Sequence, residues 1–344
     1  MTLQYRAAVL HAAQTPMSIE TITAAALRPT DVLVRIRAAG LCHTDLEVIE
    51  GSLRYPLPMV LGHEAAGVVE QVGPAARGVK TGDHVVLSWN PHCGHCFYCD
   101  RDSPILCEEY LGGGPKGRAF DGESRAMLAD GRDLQQLMFL GCFSEYCIVS
   151  DQQAIPVPKE IPFDRACLIG CGAVGLAAVQ GARLAGAGTI IAVDLDPAKL
   201  ALAARMGATH GVNASTDDVI AAGKRETAGR GVDVVIESAG SASAFRNTTE
   251  AVRPGGQVIW LGKIDVSKDV SFRWGSLMQE KRIRRVSYGN ARPRRDFPLL
   301  ARAYLDGALM LDELISRRIT LDGINDGFDA LKRGEAIRSV ITFD

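Results

Sequence analysis

The stretch Leu168-Ile169-Gly170-Cys171-Gly172-Ala173-Val174-Gly175 narrows the possible folds more than any other part of the chain. It reads G-x-G-x-x-G at Gly170, Gly172 and Gly175, after an apolar run and before apolar residues at helical spacing over 173–185. Asp194 follows Gly175 by nineteen residues, at the end of the apolar run Thr189-Ile190-Ile191-Ala192-Val193. Glycines at those places allow a tight turn and close approach of the backbone to a pyrophosphate at the helix N-terminus, while the acid pairs with ribose hydroxyls. The pattern predicts a dinucleotide site, and because Asp194 would repel a 2′-phosphate, NAD is expected rather than NADP. Capping of the helix that begins at Pro197 is the alternative role for Asp194. Further strands are expected over residues 232–236, 257–262 and 284–288, with helices between them such as 197–206. Strands alternating with helices mean a parallel sheet covered on both faces.

The chain before this stretch has a different texture. Tyr5 to Leu10, Asp31-Val32-Leu33-Val34-Arg35-Ile36-Arg37, residues 67–72 and residues 84–87 are short strands. The second alternates apolar and charged residues with period two, as a half-buried strand does. Gly73-Pro74 and Lys80-Thr81-Gly82-Asp83 punctuate them as turns, so this part is β-rich rather than the opening of a doubly wound sheet. A length of 344 residues suits two domains. A net charge of −2, with 47% hydrophobic and 23% charged residues, gives no bulk attraction to nucleic acid or anionic membrane and leaves a small molecule as the expected partner. The basic run Lys281-Arg282-Ile283-Arg284-Arg285, with Arg292, Arg294 and Arg295, is read as a solvated face. No run of about 18 apolar residues and no signal-peptide pattern is found, so a cytoplasmic protein with no membrane partner is expected.

Four of the nine cysteines fall in one short stretch, Cys93, Cys96, Cys99 and Cys107. The C-x2-C-x2-C-x7-C spacing lets four thiolates wrap one tetrahedral zinc within a loop, and in a chain of this size and expected compartment that reading outweighs disulfides or an iron–sulfur cluster. Cys42, His63 and Glu64 are a thiolate, an imidazole and a carboxylate, the ligand types of a catalytic zinc, although two such residues 21 positions apart are weak evidence alone. Cys142, Cys147 and Cys167 are expected as buried apolar filler.

The motifs Gly40-Leu41-Cys42-His43-Thr44-Asp45, Gly62-His63-Glu64-Ala65-Ala66-Gly67 and Lys80-Thr81-Gly82-Asp83, with the four-cysteine lobe in this order, resemble the zinc-containing alcohol dehydrogenases of the medium-chain dehydrogenase/reductase superfamily. The lobe and residues 139–146 are closest to the branch of animal-type and glutathione-dependent formaldehyde dehydrogenases. The resemblance runs nearly end to end and implies an α/β protein, a β-rich GroES-like catalytic domain plus a doubly wound Rossmann NAD-binding domain. The domains are expected at 1–168 and 169–289, with 290–344 returning to the catalytic domain. It implies two zinc ions, one catalytic and one structural. Cys42, His63 and Cys171 would be catalytic ligands, with Glu64 behind the metal or as an alternate ligand. Thr44 would take the alcohol proton, and Glu47 stands where many relatives carry a relay histidine. His43 and Arg338 would meet the cofactor pyrophosphate, Lys199 the adenosine ribose, and Gly262 the nicotinamide side. Leu111 replaces the arginine of the glutathione branch, which argues against a glutathione adduct. The implied reaction is oxidation of an alcohol to an aldehyde or ketone, or the reverse, with hydride transfer to NAD, in a homodimer or homotetramer. The apolar stretch Leu137-Met138-Phe139-Leu140 suggests a primary aliphatic or aromatic alcohol.

One departure bears on all of this. Relatives separate the Cys171 segment from the glycine turn by a helix and a strand, on the order of 25 to 30 residues by ordinary element lengths. Here Gly170-Cys171-Gly172 runs straight into Ala173-Val174-Gly175. Either residues 165–169 form the first nucleotide-domain strand and Cys171 sits in the turn, or Cys171 serves the zinc and the turn is displaced. A catalytically impaired relative that keeps structural zinc is the alternative function.

Overall fold

The computed structural model describes residues 3–113, 117–167, 174–265 and 267–344. Gly170, Cys171 and Gly172 therefore lie outside the described residues. The chain divides into two compact units, Met1–Gly172 with Ala291–Asp344, and Ala173–Asn290.

The first unit opens with β1 (Gln4–Leu10), β2 (Ser18–Ala24) and β3 (Asp31–Gly40), then α1 (His43–Glu50), β4 (Met59–Val60), β5 (Ala65–Val72) and β6 (His84–Leu87). After the cysteine lobe come α2 (Glu108–Gly113), β7 (Ala126–Met127), β8 (Asp133–Gln136), β9 (Tyr146–Ser150), β10 (Ala154–Pro156) and α3 (Phe163–Ala166). β1, β2, β7, β8 and β4 close into a small barrel. The alternation read along β3 is real: Val32, Val34 and Ile36 are buried, while Leu33, Arg35 and Arg37 are half-buried. These apolar faces meet in one core with Leu10, Met59, Leu61, Leu134, Phe143 and Ile148. Leu137 and Leu140, two residues of the apolar stretch 137–140, belong to that core.

The second unit contains α4 (Val174–Leu184), β11 (Ile191–Asp194), α5 (Pro197–Arg205), β12 (His210–Asn213), α6 (Val219–Arg225), β13 (Val232–Glu237), α7 (Ala242–Ala251), β14 (Val252–Trp260) and β15 (Arg282–Arg285). All described pairings here are parallel, β11 with β12 and β13 with β14 with β15. The described strands form two sheets, of two and three strands, rather than one. β15 starts two residues before the expected strand; its four residues are all exposed, so no buried face marks its register in sequence.

The chain then returns to the first unit through α8 (Pro293–Leu305), β16 (Arg317–Ile319), α9 (Ile324–Lys332) and β17 (Ser339–Thr342). β17 completes a seven-stranded sheet in which the order is β10-β6-β5-β3-β17-β16, with β9 also on β3. Pairing of Val340 with Gly40 and Ile341 with Ala39 brings the C-terminal strand to the segment just before Cys42.

Residues 165–167 do not form a nucleotide-domain strand. α3 covers Phe163–Ala166, Arg165 pairs with Asp164 (2.8 Å) and with Asp312, and Arg318 also binds Asp164 (2.8 Å), all within the first unit. Cys167 is buried there as well. Four charged side chains thus tie to the catalytic unit a segment that its apolar residues alone would allow as a strand.

Candidate metal centres and nucleotide turn

α1 begins where β3 ends, and its N-cap is Cys42. Asp45, three residues on, sends a carboxylate back to the Cys42 backbone N–H (3.3 Å), the geometry in which an acid at the third helical position satisfies an orphan donor. The same fully buried carboxylate accepts the Gly62 N–H (2.9 Å) and bonds the His63 Nδ1 (3.2 Å). Gly62 has φ +93°, and a side chain there would meet Phe143 and Cys142 at 2.6 and 2.8 Å, so only glycine lets the 62–63 backbone approach this closely. With Nδ1 held by Asp45, the ring turns Nε2 toward Glu64, whose Oε1 is 3.9 Å away. Cys42 Sγ, a His63 ring nitrogen and a Glu64 oxygen all lie within 4.8 Å of one another.

Electrostatics reinforces this grouping. Burial would raise the Cys42 thiol, but His63, with Arg338 behind it, brings it down to about 6, near its metal-binding thiolate form. Burial would lower His63, yet Asp45 and Cys42 together hold it well above an ordinary imidazole. Burial pushes Glu64 well above the usual carboxylate range despite Arg338. A buried thiolate, an imidazole and a carboxylate at mutual contact suit a divalent cation of borderline softness, and zinc fits the set.

Arg338, expected at the pyrophosphate, is buried and donates to Glu64 Oε2 (2.9 Å) and to the Leu41 carbonyl (2.7 Å). Its described contacts therefore lie with the candidate metal ligands. Thr44 and Glu47 lie half-buried on α1 at i,i+3 spacing, on one face of the helix, and His43 is exposed at its first position. Asp45 is the candidate supporting residue to which the sequence alone assigned no task, and its signal is an acid three residues after a candidate ligand cysteine at a helix start.

In the lobe, Cys93, Cys96, Cys99 and Cys107 place their sulfurs within 4.8 Å of one another. The Cys93 to Cys99 separation is 3.9 Å, close to the ~3.8 Å edge of a tetrahedron with ~2.3 Å zinc–sulfur bonds. Backbone N–H groups of Glu108, Cys99 and Tyr98 bring Cys96 down to about 6, while burial pushes Cys99 up to about 12, and the Cys93 N–H donates to Cys107 Sγ (3.3 Å). The donor set is closed, leaving no position for substrate. Cys107 packs with Tyr110 and Phe139, anchoring the lobe to an aromatic cluster. Leu111, one turn into α2, is 55% exposed. Cys142, Cys147 and Cys167 are buried as expected.

In the second unit, Gly175 stands in the first turn of α4, where a side chain would meet Ser238 Oγ at 2.9 Å, so helix and strand end pack closely through this glycine. Asp194 ends β11 and its Oδ1 accepts the Leu195 and Asp196 N–H groups (2.8 and 3.0 Å). The helix cap is Asp196, which accepts from Ala198, so the capping alternative for Asp194 is corrected by two residues. Lys199 is half-buried on α5, and Gly262 is buried just beyond β14.

Known proteins match both units. Residues 28–159 match the alcohol dehydrogenase GroES-like domain and residues 173–305 the zinc-binding dehydrogenase domain. An S-(hydroxymethyl)glutathione dehydrogenase of Aspergillus oryzae is 34% identical, with 98% of this chain and 95% of that protein covered. The chain belongs to the zinc-containing alcohol dehydrogenase family. An NDMA-dependent alcohol dehydrogenase of Amycolatopsis methanolica is 35% identical over 98% of this chain and 99% of its own length. Among solved structures, an alcohol dehydrogenase zinc-binding domain protein from Burkholderia ambifaria is 34% identical with a TM-score of 0.95, covering 100% of both chains. A benzyl alcohol dehydrogenase from Acinetobacter calcoaceticus is 28% identical with a TM-score of 0.93, covering 99% of this chain and 100% of that one. Within this family the fold is a GroES-like catalytic domain joined to a Rossmann domain, as the two units display.

Proposed function

We propose that this family member oxidises an alcohol to an aldehyde or ketone, or runs the reverse reaction, with NAD, and that the convergence of Cys42, His63 and Glu64 on one point, backed by Asp45, carries the reading. When bound, zinc supplies a Lewis acid for the alcohol oxygen and NAD a hydride acceptor. The chain's own residues do the rest. Asp45 fixes the His63 tautomer, Arg338 holds Glu64 in place by a hydrogen bond to its Oε2, and the Thr44 hydroxyl accepts the alcohol proton as it passes its own to the Glu47 carboxylate one turn along α1. Asp194 favours NAD over NADP, since a 2′-phosphate would meet its carboxylate. Cys93, Cys96, Cys99 and Cys107 hold a second, structural zinc. We also expect a homodimer or homotetramer working in the cytoplasm; no described helix is long and apolar enough to cross a membrane.

The shortened hinge belongs to this reading. The match to the Aspergillus relative runs over 372 positions although the chain has only 344 residues, in keeping with a segment that relatives carry and this chain lacks. The division of the described parallel strands into two sheets, with Val193, Val234 and Ile236 39–47% exposed, fits loss of a strand that would lie between β11 and β13. That same observation favours the second reading, a chain that holds structural zinc without turnover. Metal analysis with an alcohol assay separates the two: about two zinc per chain with alcohol-dependent NADH formation supports the dehydrogenase, and one zinc with no turnover overturns it. C171S, read by zinc count, assigns Cys171 to the metal or to the turn.

A further inference from the structure

Glu237 ends β13 and is buried, at 5% exposure, at the carboxyl edge of a parallel sheet where nucleotides bind in such folds. Its Oε1 accepts two consecutive backbone N–H groups, from Ala239 at 2.8 Å and Gly240 at 2.7 Å. Its main-chain carbonyl accepts two more from the neighbouring loop, Leu261 at 2.8 Å and Gly262 at 3.0 Å. One residue therefore holds the loops that follow β13 and β14 at once. The remaining oxygen, Oε2, has no hydrogen-bond partner among the described residues and sits where a side chain on Gly262 would begin, 2.4 Å from that point. Gly240, at φ +68°, lies so near Lys263 that a side chain would be 2.1 Å from its carbonyl oxygen. Ser238, inside the same turn, is the residue against which Gly175 packs. The loops after β13 and β14 thus meet at this residue, and the start of α4 packs on its neighbour Ser238.

A buried carboxylate with one idle oxygen is a poor choice for mere stability, because an apolar residue would fill the space without desolvating a charge. Two amides on one oxygen are, however, a rigid charge-assisted anchor for a turn. We infer that Glu237 is a positioning residue for the nicotinamide end of the dinucleotide: through Ala239, Gly240, Leu261 and Gly262 it sets the backbone that faces the ligand. This rests on the NAD reading given above. Glutamine keeps an acceptor for both amides, alanine does not, and a methyl group on Gly262 would meet both the carboxylate and the Gly240 backbone.

The test uses the full-length zinc-loaded protein and two readouts, NADH binding by fluorescence and amide hydrogen exchange without nucleotide. E237A is expected to speed exchange at 239–240 and 261–262 together and to raise the NADH dissociation constant about tenfold or more, while E237Q stays within about threefold of wild type. G262A should also weaken NADH binding, because its methyl group would meet Glu237 Oε2 at 2.4 Å and the Gly240 backbone nitrogen at 2.5 Å and so wedge the two loops apart. Faster exchange confined to 239–240, or unchanged NADH binding in E237A, overturns the inference. A wild type with coupled exchange at both loops but no NADH binding instead overturns the nucleotide reading, and the positioning role with it. If E237A fails to fold, G262A and E237Q still decide: equal, wild-type NADH binding in both refutes the clasp.

Discussion

Asp45→Asn is a one-atom change that the geometry makes expensive. Oδ1 serves the Gly62 N–H and His63 Nδ1, and Oδ2 the Cys42 N–H, with bonds of 2.9, 3.2 and 3.3 Å in a fully buried site. Asparagine offers one oxygen in place of two. If that oxygen faces Gly62 and His63, the new amide group meets the Cys42 N–H, donor against donor, and the flipped rotamer does worse by opposing two donors. Hydrogen bonds to a charged group contribute about 1.5–3 kcal/mol each, so losing one and the charge with it costs about 2 kcal/mol in ligand preorganisation. At about 1.4 kcal/mol per factor of ten that is roughly thirtyfold in metal affinity, inside the 10–100-fold range typical of residues that orient metal-bound histidines. The assay is competition with a chromophoric chelator, following zinc loss from wild type and D45N. One zinc per chain should become about thirtyfold easier to extract, and the lobe zinc should be unaffected. An affinity within about twofold of wild type would show that Asp45 does not orient His63 for a metal.

C96S should lower the zinc content from about two to one per chain and expose residues 93–107 to limited proteolysis, measured by metal analysis and mass spectrometry; retention of both ions would refute a four-thiolate site. T44V keeps the side-chain shape without the hydroxyl, so turnover should fall about 10²–10⁴-fold with NADH binding unchanged, and a smaller loss would move the proton acceptor elsewhere. Burial would raise Asp164, but Arg165 and Arg318 together hold it below the ordinary carboxylate range. A lowered folded-state value stabilises the protein above the unfolded value of about 3.9, and that contribution is lost as pH falls through the folded value. D164N should therefore melt lower than wild type at pH 7, with the gap closing below about pH 4; a gap constant from pH 7 to 3 would rule out the ion pairs as its source.

The features legible in sequence are those whose partners are near in the chain. The cysteine lobe was one, because four ligands within fifteen residues need only a loop to meet. β3 was another, because one buried face imposes period two. Of the three glycines of the expected turn only Gly175 is among the described residues, in the first turn of α4. β15 was misplaced because an exposed edge strand has no buried face to impose a period. α3 escaped for a different reason: ion pairs to Asp312 and Arg318, about 150 residues away, decide its state.

The sequence by itself determined which ligand chemistries the chain owns and that a metal-bearing β-rich part precedes a nucleotide-binding one. Tertiary structure decided which residues cooperate. Cys42 and His63 become one site only because Asp45 reaches Gly62 and His63 across seventeen and eighteen residues. Arg338 joins them because β17 returns beside β3, bringing its guanidinium 274 residues along the chain to Glu64. Burial then gives these contacts their strength, since an ion pair or a thiolate counts for far more where water is excluded than where it competes.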